Sequence, residues 1–159
     1  METVLNQLRL MLAGICQTVT EFPGTSLRRK SEPVMAVGIS SAEAVSGAEY
    51  LGTTAGEENE LYGMTVKAVF SLDIFAPGGE GSGAALCRSL FDQVLECFKT
   101  RMASGLKITK ITCGQMYFDT TASMYRLPCT LAADTFIYAV ADESGQFVDF
   151  DLRGVTYSA

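Results

Sequence analysis

Residues 61 to 74 alternate more strictly than any other stretch of the chain. Tyr62, Met64, Val66, Ala68, Phe70, Leu72 and Ile74 occupy the even positions, and Thr65, Lys67, Ser71 and Asp73 lie among the odd ones. A period of two predicts a long strand with one buried face and one face toward solvent. Ala76-Pro77-Gly78-Gly79 ends it, because proline offers no ladder N–H and glycine accepts positive φ. Ser82 then stands where an N-cap would, and Leu86, Leu90, Phe91, Val94, Leu95 and Phe98 recur at helical spacing. A sheet with a helix laid across it follows, an architecture that points away from catalysis.

The chain has 159 residues, 48% of them hydrophobic, which suits one core and is short for two. The expected fold class is α+β: a mostly antiparallel sheet with an N-terminal helix and one central helix packed on one face. A single domain over residues 1–159 is expected, with residues 146–155 as a C-terminal extension strand. The net charge of -6 argues against a nucleic-acid surface spread over the whole protein, which needs a basic field, and leaves room for a local basic patch. No apolar run approaches the roughly 18 residues of a membrane span, and Met1 to Val19 lacks the basic start and unbroken apolar middle of a signal peptide. The reading is a protein that is cytosolic when made, with no membrane partner and no specific nucleic-acid partner.

Along the chain, Leu5, Leu8, Leu12, Ile15 and Val19 share one side of a helical wheel, predicting a helix over 2–20 that Glu21-Phe22-Pro23-Gly24 stops. An exposed loop carrying Arg28-Arg29-Lys30 follows. Pro33 to Ser40 reads as a strand, apolar enough on both sides to suggest a central or interface position, and Ala42 to Leu51 as a second short one. Gly52 to Glu60, with Glu57, Glu58 and Glu60, reads as an acidic hairpin tip. Beyond the helix, Ser104-Gly105 supplies a stop. The apolar phase between Leu106 and Asp119 then slips, predicting a bulge near Lys110 or Gly114. Thr120 to Ser123 is a hairpin turn. Tyr125 to Ala133 resumes the alternation, with Pro128 marking an edge or a bulge. Phe136 to Val140 continues that strand or forms another. Asp142 to Gly145 is a turn, and Phe147 to Val155 a last strand that completes the parent sheet or pairs with a neighbouring subunit.

Candidate chemistry is sparse. The chain has five cysteines, at 16, 87, 97, 113 and 129, no Cys-x-x-Cys and no histidine. A zinc site, a disulfide scaffold and a His-dependent triad are therefore not expected, and the cysteines read as small buried hydrophobes. The carboxylates at 57, 58 and 60 and at Asp149 and Asp151 read as solvated charge, and Asp142, Glu143, Asp149 and Asp151 do not have the spacing of a calcium loop. Pro77 to Gly83 lies between strand and helix, where a phosphate loop would sit. It lacks the Gly-Lys-Ser/Thr ending, carries Glu80 and reads as a turn. No cofactor is called for. Arg28, Arg29 and Lys30 have two readings: a solvated loop, or one half of an opposite-charge docking pair with Glu57, Glu58 and Glu60.

The order of elements, with Ser71-Leu72-Asp73-Ile74-Phe75-Ala76-Pro77 and Cys113-Gly114-Gln115, resembles the small ring-forming virion proteins of long-tailed phages and prophages, in particular the tail terminator (tail completion, head–tail joining) family. The likeness runs from about Val4 to Val140. It implies a non-enzymatic structural subunit, a homo-hexameric ring that caps the tail tube, ends its polymerisation and meets the head connector. The implied partners are other copies of the chain, the tube protein and the connector, and the implied location is the virion tail after assembly in the host cytoplasm. Two alternatives stand: another tail or injection-machine subunit on the same scaffold, or a small-molecule-binding or enzymatic α+β domain with Cys113 or Cys129 as a reactive thiol. The mean hydropathy of +0.21 is in keeping with surface left for neighbours.

Overall fold

Two long strands, β4 (Glu60–Ala76) and β7 (Met124–Ala141), form the spine of the molecule, pairing antiparallel from Glu60 opposite Ala141 to Ala76 opposite Tyr125. At about 3.3 Å per residue this ribbon is about 55 Å long. The computed structural model describes residues 1–20, 31–45, 49–53, 60–78, 81–100, 105–141 and 147–151. The remaining elements are α1 (Glu2–Leu12), β1 (Gln17–Val19), β2 (Val34–Ala44), β3 (Glu49–Thr53), α2 (Ser82–Thr100), β5 (Leu106–Cys113), β6 (Tyr117–Asp119) and β8 (Phe147–Asp151). One sheet runs β1-β2-β4-β7-β5. β3 adds to β4, and β6 and β8 add to β7. All pairings are antiparallel except that of β1 with β2. The fold is α+β, as expected.

Both helices lie on one face. Val4, Leu8 and Leu12 of α1 and Cys87, Leu90 and Val94 of α2 share a core with Met35, Val37, Phe70, Leu72, Ile74, Cys129 and Leu131. The even positions of β4 from Val66 to Ile74 are buried, as their alternation requires. Gly78 takes φ 128° in the turn after β4, and Gly105 takes φ 73° before β5, so both stops work through left-handed glycine.

Several expectations are corrected. The first helix ends at Leu12 rather than Thr20, since Gly14 disfavours helix and Gln17-Thr18-Val19 pairs with Val34-Met35-Ala36 of β2. Ser82 opens α2 as a helical residue, and Gly81 supplies the carbonyl that Ala85 N–H meets at 3.4 Å. Residues 42–44 finish β2, and only Glu49–Thr53 form a separate strand. Pro128 lies in a central strand, not at an edge. Gly114 N–H donates to its carbonyl at 2.8 Å, so the nitrogen of Pro128 faces the same side, beside the interruption between β5 and β6 where the ladder has lapsed. The bulge falls between Ile108 and Lys110, as expected. Phe136 to Val140 is the tail of β7, and Phe147–Asp151 adds to β7 within the same sheet. The turn at 142–145 lies outside the described residues.

Candidate interaction surface

The register assigns charges and small side chains to the sheet face opposite the helices. Glu43 of β2 lies across from Lys67 of β4, Lys67 across from Asp134 of β7, and Asp134 across from Lys107 of β5. Cross-strand partners project to the same side, so this row reads negative, positive, negative, positive. The adjoining rows are Ser41, Val69, Ala132 and Lys110, then Gly38, Ser71, Thr130 and Thr112. All twelve positions are exposed or half-buried. The result is a low surface with few long side chains toward its middle. Thr109 stands in the bulge, and its hydroxyl donates to the carbonyl of Ala132 at 3.1 Å.

One end of this face is closed by the turn after β6. Ala122 and Met124 pack on Val34, Ala36 and Phe75, with Val19 beside them, as a second small core. Asp119 Oδ1 accepts the N–H groups of Thr121 and Ala122 at 2.9 and 3.0 Å, and Ser123 takes φ 55°. Against this plug Arg126 donates to Asp73 at 2.8 Å, approaches Asp119 at 3.7 Å, and lies over the rings of Phe75 and Tyr117 at 5.5 and 5.9 Å. The hydrogen bond to Asp73 raises the pKa of Arg126 above its ordinary value, with burial opposing and the nearby negative charges adding to it. Asp73 is an odd position expected to face water. It is buried at 4% exposure because this plug and guanidinium cover it.

Apolar groups stand out on both sides of the molecule. Leu10 of α1 and Leu95 of α2 are 67% and 40% exposed on the helix layer. Leu95 belongs to the helically spaced apolar set of α2, but the helix turns Gly83, Cys87, Leu90 and Val94 inward and leaves it outside. Tyr117 and Phe118 of β6 are exposed, with Phe118 edge-on to Tyr125 at 5.3 Å, and Tyr50 and Tyr62 meet edge-on across β3 and β4 at 5.7 Å.

Between α2 and the end of β5 is an open cleft of about 570 Å³, lined by Arg88, Phe91, Asp92, Cys113, Gln115 and Met116 among others. The cysteines are less uniform than small buried hydrophobes would be. Cys87 and Cys129 are buried, Cys16 and Cys97 half-buried, and Cys113 exposed. Burial pushes the thiols of Cys16 and Cys87 up to about 11, and raises those of Cys113 and Cys129 as well. A thiol raised in this way stays protonated near neutral pH and is a slow nucleophile there. Among the described residues no group of three or more Cys, Asp or Glu side chains converges as a metal site, and no helix is long and apolar enough to cross a membrane.

Arg28, Arg29, Lys30, Glu57 and Glu58 lie outside the described residues, so the opposite-charge pairing expected of those loops does too. Glu60 is the first residue of β4, opposite Thr53 of β3 and Ala141 of β7. The charge row and the Arg126–Asp73 pair escaped the sequence because both depend on register and join residues far apart in the chain. No protein-family model matches this chain, and no curated protein matches it.

Proposed function

We propose that the protein is a structural subunit that builds a closed ring from copies of itself and serves in the virion of a long-tailed phage or prophage, ending the growth of the tail tube and joining tail to head. The observation that carries the reading is that both helices cover one side of the sheet, while among the described residues the other side is covered only at the plug of residues 119–124. Helices with outward leucines form one side of the subunit, and a low face of small and charged residues forms the other. Two unlike faces on opposite sides suit a head-to-tail contact, and a head-to-tail contact with a rotation that closes makes a ring. Among the described residues, the outer edges of β1 and β5 add backbone groups at the two ends of the β1-β2-β4-β7-β5 path, and Lys107 and Lys110 on β5 discourage indiscriminate edge pairing. The six-fold order and the partners, tube protein and head connector, come from the resemblance in element order.

Adding the purified protein to polymerising tail-tube subunits tests this role. Tubes of limited length bearing a ring at one end are expected under electron microscopy. Tubes that grow undiminished with bare ends contradict the role. A second reading, a small-molecule-binding or enzymatic domain, draws on the exposed Cys113 at the α2–β5 cleft. Iodoacetamide separates the two: a cysteine that reacts faster than a free thiol such as glutathione at the same pH favours the second reading, and five thiols no faster than a free thiol favour the first.

A further inference from the structure

Cys113 of β5 and Cys129 of β7 are register partners on the helix-facing side of the sheet, and their Sγ atoms lie 2.7 Å apart. The hydrogen bond from Gly114 N–H to the Pro128 carbonyl, one step beyond them on each strand, makes the cysteines a non-hydrogen-bonded pair of the antiparallel ladder. At such positions the Cα atoms stand about 4.5 Å apart and the side chains approach most closely. That separation falls within the roughly 4.4–6.8 Å over which two cysteines can be bridged. The two thiols differ in access, since Cys129 is 4% exposed while Cys113 is exposed at the cleft beside α2. Arg88 and Asp92 on the facing helix turn give that cleft one charge of each sign, and Gln115 adds an amide.

We propose that Cys113 and Cys129 are an oxidisable pair, closed into a cross-strand disulfide by a zwitterionic, peptide-like disulfide of the glutathione type. The Sγ of Cys113 attacks one sulfur of the incoming disulfide. A Cys113–glutathione bond forms, the disulfide bond of the reagent breaks, and one glutathione leaves as a thiolate that takes up a proton. The Sγ of Cys129 then attacks the Sγ of Cys113, and the second glutathione leaves in the same way. Each attacking thiol gives its proton to solvent. Two protein thiols are thus oxidised to one disulfide while one reagent disulfide is reduced to two thiols, and edge strand β5 becomes tied to β7. Because burial raises both thiols, the rate should rise with pH, about tenfold per unit while the attacking thiols remain mostly protonated. The inference is independent of the ring reading.

The test uses the reduced full-length protein with oxidised glutathione at about pH 8, followed by an acid quench, denaturation, alkylation and peptide mapping by mass spectrometry. The expected product carries a Cys113–Cys129 linkage with Cys16, Cys87 and Cys97 alkylated. In Cys129→Ser the reaction is expected to stop at a glutathione adduct on Cys113. The exposed-site variant Cys113→Ser, which keeps the buried partner in place, is expected to lose both linkage and adduct. Wild-type protein in which Cys113 and Cys129 both remain alkylatable, or in which Cys113 keeps its glutathione, overturns the proposal. So does a linkage from Cys129 to any other cysteine in Cys113→Ser.

Discussion

Asp73 and Arg126 are 53 residues apart in sequence, and their hydrogen bond joins β4 to β7 under the plug formed by residues 119–124. A charge-assisted bond of this kind is worth about 1.5–3 kcal/mol when one partner is removed. Asp73→Asn should therefore lower unfolding free energy by about 2 kcal/mol in urea titration; a loss below about 0.5 kcal/mol would mean that Asp119 and the two rings hold Arg126 unaided. Thr135 presents the opposite case. It is 1% exposed in the row Ala44, Val66, Thr135 and Leu106, and its hydroxyl has no hydrogen-bond partner among the described residues. Thr135→Val replaces an unsatisfied hydroxyl with a methyl of like shape and should stabilise by about 1 kcal/mol, or about 2–4 °C in melting temperature. Neither residue announced itself in the sequence: alternation placed Asp73 toward water, and the hydroxyl of Thr135 reads as a surface group until the row around it is known.

At the scale of elements, the legible features were those that local chemistry decides. The long alternation gave β4, Gly78 and Gly105 marked real stops, and the slip in phase near Lys110 marked a real bulge. Features decided by distant partners were not legible. Val19 fits a helical wheel but joins a strand once β2 is beside it, and Pro128 reads as an edge signal until the gap opposite it between β5 and β6 is seen. Gly83 illustrates such a remote constraint. A Cβ there would meet Tyr125 Cδ2 at 2.5 Å and the Pro77 carbonyl at 3.3 Å. Alanine is the better helix former, yet Gly83→Ala should destabilise by about 1–3 kcal/mol through displaced packing, read by thermal melting. The anchoring of α2 also sets a pH dependence. Cys87 donates to the carbonyls of Ile74 and Tyr125 at 3.7 and 3.6 Å, and its pKa is pushed from 9.0 up to about 11. Between those values the folded chain keeps a proton that the unfolded chain has lost, so the unfolded state binds fewer protons and stability falls as pH rises. The slope is up to about 1.4 kcal/mol per pH unit for each such thiol, and Cys16, also raised to about 11, adds to it. Denaturation followed at pH 8.5 and above, at about half-unit steps, should show this loss, and Cys87→Ala should flatten it.

For the whole molecule, both helices cover one side of the sheet, and among the described residues the other side is covered only at the end closed by residues 119–124; the ribbon of β4 and β7, about 55 Å long, outruns α2, whose 19 residues span about 28 Å. The sequence pointed to the helix layer, since both apolar stripes were visible in it. It did not point to the opposite face, whose alternating row exists only once four strands are in register. In the proposed ring, that face seats the next copy. Multi-angle light scattering of the purified protein over a wide concentration range, alongside Thr130→Arg, is the most direct measurement. A discrete closed oligomer, six-fold by the resemblance, is expected, and it should fall to single subunits when an arginine is raised from the middle of the face while the far-UV circular dichroism spectrum of the subunit is unchanged. Single subunits at every concentration, or a wild-type oligomer that Thr130→Arg leaves intact, would contradict the proposed ring.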